Sequence, residues 1–197
     1  MYPDSLKNLI EAFKYFPSVG ERTAERFAFS IFDFDDDQVE LLKNSLDDVR
    51  NKVHPCEKCN VLTEDELCSI CSDEFRNSKI LCIVEDVKSV YLFEKIGLFK
   101  GKYHVLNGLI SPLDGINPED VGIDKLLDRI HNEKYEEIVF AFKPSIEGET
   151  TALYIKKILD GLNIKMTKIA NGVPIGADME YVDSLTLERA LNDRKEL

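Results

Sequence analysis

The chain has 197 residues, 44% of them hydrophobic and 31% charged, enough for one sizeable domain or a medium domain with a small module. No apolar run approaches the roughly 20 residues needed to cross a bilayer, and Met1-Tyr2-Pro3-Asp4 lacks the basic region and apolar stretch of a signal peptide, so a cytoplasmic protein is expected. The formal net charge of −12 is opposite to the basic excess of most nucleic-acid binders. Any contact with DNA must therefore come from a local basic patch or from several copies arranged around it.

The first third reads as helical. Leu6, Leu9, Ile10 and Phe13 fall on one face at the 3.6-residue period. Pro17-Ser18-Val19-Gly20 interrupts the pattern, since Pro removes a donor and Gly permits a positive φ. A second helix follows with Ala24, Phe27, Ala28 and Ile31 on one stripe. Asp33, Asp35, Asp36 and Asp37 suit a loop and the first turn of a third helix. Val39, Leu42, Leu46, Val49 and Val53 form that helix's apolar face.

After residue 78 the pattern changes. Ile80–Val84 is a short β-branched run, as expected of a buried parallel strand. Similar runs occur at Tyr103–Leu106, Glu137–Phe142 and Ile164–Ala170. Helical patterns lie between them at Val87–Ile96, Pro118–Asn132 and Thr150–Leu162, and Asp183–Arg194 predicts one more helix. Asn117-Pro118-Glu119-Asp120 resembles a helix start. Strands alternating with helices imply βαβ units and a mainly parallel sheet. No internal repeat and no low-complexity linker interrupts the chain.

Between these parts lie Cys56, Cys59, Cys68 and Cys71, spaced C-x2-C-x8-C-x2-C. Each pair forms a tight knuckle, and two facing knuckles supply four sulfurs in a tetrahedron about 2.3 Å from one zinc ion. Four protein ligands leave no open position for a water nucleophile, so the zinc is structural. It replaces the core that a module of about 20 residues is too short to build. A redox C-x-x-C would open a helix after a strand, which is not the context here. Cys82, inside a strand run, reads as a small buried hydrophobe. His54 precedes the first ligand by two residues and reads as solvent-facing.

Helix, Pro17-x-x-Gly20, helix has the outline of a helix-hairpin-helix. Backbone N–H groups at the start of the second helix can approach a phosphate. Arg22 and Arg26, four residues apart, share one face and extend such a contact. Binding of this kind reads the backbone rather than the base sequence. Glu21 and Glu25 dilute the positive charge of the same face.

The combination resembles the RecR family of bacterial recombination mediators. The likeness rests on Pro17–Arg26 and the cysteine module. It continues through Tyr103–Gly108, Ser111–Ile116, Pro144–Ala152 and Gly172–Tyr181, and it covers nearly the whole chain. It implies an α/β fold, a mainly parallel Toprim-type sheet, joined to an N-terminal helix-hairpin-helix region and a four-cysteine zinc module. The expected division is 1–54 helical, 55–73 zinc finger, 78–171 Toprim, and 172–197 a Walker-B-like segment with a helix. The resemblance further implies a non-enzymatic role in recombinational DNA repair. In it the protein acts with RecO and RecF to help RecA onto single-stranded DNA, as a ring-like dimer or tetramer that clamps DNA. Arg22 matches the family's usual Lys and Arg26 its Arg, and both are candidate DNA contacts.

Three positions depart from the family pattern. Ser18 stands where Gly is usual, Lys143 where Asn is usual, and Asn171 where Arg is usual. Toprim enzymes hold Mg²⁺ with a Glu after the first strand and an acidic pair after a later one. Here Glu85, Glu147 and Glu149 fall at such places, so a Mg²⁺-dependent nuclease or primase-like enzyme is the alternative reading. Docking of a basic RecO surface is the expected use of these carboxylates. Asp178 and Glu180 lie in the Walker-B-like stretch. No G-x-x-x-x-G-K-[ST] motif accompanies them, so nucleotide hydrolysis is not expected.

Overall fold

The computed structural model describes residues 2–170 and 172–194, with the backbone alone for Leu185. Asn171 lies outside the described residues. Two compact units are present, Met1–Val53 and His54–Leu197. None of the described helices is long and apolar enough to cross a membrane.

The first unit holds three helices: α1 (Asp4–Phe13), α2 (Glu21–Ser30) and α3 (Asp36–Lys52). Leu6 and Ile10 of α1 meet Ala24 and Ala28 of α2, with Leu9, Phe13 and Val19 packed around them. The two alanines have no bulk beyond Cβ, which lets α1 and α2 approach closely. Asp35 caps α3 through a reciprocal pair: its carboxylate accepts from the Gln38 N–H at 2.8 Å, and the Gln38 side chain accepts from the Asp35 N–H at 3.0 Å. The acidic cluster thus starts the third helix as expected. The apolar face of that helix is not buried. Leu42 is 39%, Leu46 59% and Val49 63% exposed, and α3 contributes no buried residue. Helical periodicity records a face that wants cover, and nothing among the described residues of the unit supplies it.

The second unit begins with the cysteine module: β1 (His54–Pro55) pairs antiparallel with β2 (Leu62–Thr63), and α4 (Ser69–Ser72) carries Cys71. Then come β3 (Asn77–Val84), α5 (Val87–Ile96), β4 (Gly101–Val105), α6 (Ile123–Asn132), β5 (Glu137–Ala141), α7 (Ile146–Ile158), β6 (Lys165–Lys168) and α8 (Ser184–Asn192). The four longer strands make one parallel sheet in the order β4-β3-β5-β6.

Alternation along β3 splits the core between the two faces of the sheet. Leu81 and Ile83 join Leu126 and Ile130 of α6 and Ile155 and Leu159 at the end of α7. Cys82 and Val84 join Val90 of α5, and also Cys56, Cys59, Cys68, Val61 and Ile70 of the cysteine module. The module therefore covers part of the second face. Cys82 is the buried hydrophobe expected, and burial pushes its thiol up to about 12.

Two helix starts differ from expectation. Pro118–Val121 is turn rather than helix. Asp120 accepts from the Asn117 N–H, and Gly122 at φ +74 precedes the true start at Ile123. Conversely α7 starts at Ile146 rather than Thr150, because Ser145 caps it by accepting from the Gly148 N–H.

Candidate metal centre and nucleic-acid interface

Among the described residues, Cys56, Cys59, Cys68 and Cys71 are the one group of three or more potential ligands whose donor atoms converge, all within 4.8 Å of one another. Sulfurs about 2.3 Å from a tetrahedral zinc lie roughly 3.8 Å apart, so the spacing fits the ion. Local backbone sets this geometry. The Asn60 N–H closes the first knuckle on the Cys56 carbonyl at 3.0 Å, and the Cys71 N–H closes the second on the Cys68 carbonyl at 3.0 Å. Asn60 takes φ +63, a left-handed conformation that Asn tolerates better than most residues.

The Cys68 thiol is pulled down to about 2 by hydrogen bonds from Cys59 and then Cys71, while the Cys59 thiol is pushed up by its bonds to the same two neighbours. Deprotonated together, four sulfurs this close would require a cation, and zinc would supply it. The Cys68 N–H also points at the Cys56 sulfur at 3.4 Å. His54 is exposed and its ring bonds the Pro55 carbonyl, so it stands apart from the centre.

The hairpin occupies Lys14–Gly20. The expected positive φ falls at Ser18 (+65) and not at Gly20 (−87). This is the position where the resemblance expects glycine, and the left-handed backbone explains why. Gly20 is the residue before α2, and no side chain caps that end. Thr23 and Ala24 donate to the Gly20 carbonyl at 3.1 and 3.0 Å, so the N–H groups of Glu21 and Arg22 are the ones left for solvent or a ligand. Arg22 and Arg26 are exposed one turn apart, and Arg26 lies over the Phe27 ring at 5.7 Å. Neither makes an ion pair among the described residues. Glu21 is answered by Lys14 at 2.8 Å, which also holds Glu11 at 2.9 Å. One of the two acids that dilute the face is therefore neutralised.

Glu85, Glu147 and Glu149 lie beyond the C-terminal ends of β3 and β5, on one end of the sheet. Two are engaged locally. Glu85 accepts from the Lys143 N–H at 3.2 Å, and Glu149 pairs with Lys168 at 2.8 Å. Glu147 sits in the first turn of α7, where hydrogen bonding from Ser145 and from its own backbone holds its carboxyl below the usual range. Helical periodicity alone leaves Glu147 and Glu149 ahead of the helix. The signal it passes over is Ser145, a capping residue three positions before Gly148. Thr151 is a further residue that sequence patterning misses. Its hydroxyl accepts from the Ile110 N–H at 2.9 Å and donates to the Glu147 carbonyl at 2.7 Å, pinning the loop after β4 to α7.

Comparison with known proteins bears on all these parts. Residues 6–50 match the profile of the RecR helix-hairpin-helix, 53–73 the RecR four-cysteine zinc finger domain, 79–170 the Toprim domain and 172–195 the RecR C-terminal segment. Over 196 residues the chain is 46% identical to the recombination protein RecR of Natranaerobius thermophilus, covering 100% of this chain and 98% of that one. It is 41% identical to the recombination proteins RecR of Staphylococcus haemolyticus and of Staphylococcus aureus strain Newman, covering 100% of this chain and 99% of each. The four-cysteine centre, the parallel sheet and the helical hairpin are accordingly the zinc finger, Toprim domain and helix-hairpin-helix of one known architecture, and the chain belongs to the RecR family.

Proposed function

We propose that this protein is a non-enzymatic, sequence-independent DNA-binding mediator of recombinational repair, acting in the cytoplasm. It works with RecO and RecF to help RecA onto single-stranded DNA, as a ring-like homo-oligomer that clamps the DNA. The observation that carries this reading is the hairpin: an α2 N-terminus without a side-chain cap, followed by exposed Arg22 and Arg26. Both features suit contact with phosphate rather than bases.

Assembly explains how a chain of net charge −12 holds DNA, since a ring gathers several hairpins around one duplex. Two apolar surfaces of the helical unit support assembly. One is the uncovered Leu42, Leu46 and Val49 face of α3. The other is a groove of about 370 Å³ lined by Leu6, Leu9, Ala28, Ile31 and Phe32.

The division 1–54, 55–73, 78–171 and 172–197 is retained as functional segments. Glu85, Glu147 and Glu149 serve partner docking in this reading. Glu85 already accepts from the Lys143 backbone N–H and Glu149 is paired with Lys168, which weakens them as ligands for Mg²⁺.

DNA anisotropy at graded salt tests the proposal. Each lost phosphate contact lowers the salt slope by about 0.9, so Arg22→Ala with Arg26→Ala should flatten it by roughly two contacts per engaged chain. Light scattering with and without DNA should find an oligomer. A stable monomer, or an unchanged slope in the double variant, removes the clamp. Metal-dependent cleavage of labelled DNA would replace the reading with the Toprim enzyme. Glu147→Lys should weaken the RecO complex, and unchanged binding would count against that docking site.

A further inference from the structure

β4 is an edge strand, and an edge presents unpaired N–H and C=O groups that invite another strand. Here part of the outer side of β4 is occupied. The Val105 N–H donates to the Cys59 carbonyl at 2.9 Å, and the Val105 carbonyl accepts from the Asn60 side chain at 2.8 Å. The Tyr103 carbonyl accepts from Arg129 at 2.6 Å and the Gly101 carbonyl from Arg76 at 3.2 Å. The first zinc knuckle thus supplies the two groups that close the C-terminal end of this edge. Asn60 reaches further, to Lys125 at 2.7 Å, and Lys58 of the same knuckle pairs with Glu133 at 2.7 Å.

The second knuckle is held by Lys102. This residue is 8% exposed. Its Nζ donates to the carbonyls of Ile70 at 2.8 Å, Cys71 at 3.2 Å and Asp73 at 2.6 Å. It pairs with no carboxylate among the described residues. A buried ammonium that meets only neutral carbonyls leaves its desolvation unanswered by any opposite charge. Opposite charge is available where the metal sits: zinc with four thiolates carries a net negative charge, and Cys71 is one of the residues whose carbonyl Lys102 grips.

We propose that Lys102 belongs to the zinc site as a positioning residue. Its ammonium offsets the charge of the zinc–tetrathiolate centre, holds the Cys71 turn, and makes metal retention and closure of the β4 edge one linked event. The linkage is reciprocal. Zinc keeps the knuckles seated on β4, and the seated β4 presents Lys102 to the metal centre.

The test uses the full chain with zinc bound. Groups that support metal ligands from outside typically change metal affinity about 10- to 100-fold when removed. Lys102→Met should therefore purify with one zinc but release it to a chromogenic chelator about 10- to 100-fold faster than the unaltered protein. Lys102→Arg should restore slow release to within a few-fold. A role in packing alone would lower the melting temperature equally with and without zinc. The linked role lowers it in the zinc-bound form and leaves the two zinc-free proteins matched. Release from Lys102→Met at the original rate, or an equal shift in both forms, overturns the proposal. A second measurement needs no variant. Withdrawing zinc from the unaltered protein should raise hydrogen exchange in the peptide carrying Val105, and protection that persists without zinc overturns the linkage.

Discussion

At Ser18 the chain holds a serine at φ +65 in the turn that presents Arg22 and Arg26. Left-handed backbone costs an L-residue roughly 1–2 kcal/mol, and glycine removes that cost while losing about 0.5–1 kcal/mol through unfolded-state entropy. Ser18 is exposed, so no lost contact opposes the exchange. Ser18→Gly should stabilise the helical unit by about 0.5–1 kcal/mol, read as a higher urea midpoint with an unchanged slope. A lower midpoint would mean that the serine contributes something the backbone argument omits. Gly20, which the sequence marked as the conformationally special position, needs no positive φ. The spacing located the turn, and only the backbone located the strain within it.

The scale of elements is where α7 matters. Its first turn approaches the loop after β5 so closely that a Cβ on Gly148 would lie 2.4 Å from the Lys143 carbonyl oxygen. That oxygen is backbone and cannot swing aside. Gly148→Ala should therefore cost about 1–3 kcal/mol, the usual range for overpacking, or push the loop outward. The displaced loop would break the bond from the Lys143 N–H to Glu85 and move Glu147 and Glu149. Thermal unfolding checks the first effect and, under the proposed docking role, RecO binding the second. A variant as stable as its parent, with unchanged binding, would show that the loop yields freely.

The elements were largely legible beforehand: α5 spans Val87–Ile96 as its periodicity predicts, and the parallel strands fall where the apolar runs lie. Two helix starts were not. Pro118 carries a start signal, yet Gly122 and the bond from the Asn117 N–H to Asp120 hold that segment as a turn. The Asn117–Asp120 bond is made only in the folded turn, and the Pro118 signal gives no sign of it.

For the molecule as a whole, pH exposes a buried group. His104 lies inside β4, and burial, then Arg129 and Lys125, push it down to about 3 from 6.5. Its imidazole is neutral in the fold. The unfolded chain binds a proton below about 6.5, so stability is complete above that value and falls as pH descends towards 3. Between about pH 7 and about pH 5 the loss is about 2 kcal/mol from this group. His104→Gln should lose correspondingly less over the same interval in urea titrations with zinc present. Parallel pH dependence of the two proteins would assign the acid sensitivity elsewhere.

What the amino-acid sequence determined by itself was local. Two C-x2-C pairs at fixed spacing can form two knuckles whatever surrounds them, because a tight turn over so short a separation already brings the paired thiols together. Alternating apolar runs and helical stripes likewise announce a parallel α/β sheet. Non-local contacts decided the rest. The zinc module covers part of one face of that sheet and meets the β4 edge through Cys59 and Asn60, while Lys102 of β4 grips the second knuckle. Nothing in residues 56–71 indicates that the groups they meet lie far later in the chain, at Lys102, Val105 and Lys125. A metal centre that looked self-contained in the sequence is, in three dimensions, part of the α/β core, because a four-sulfur site alone buries too little surface to stand apart.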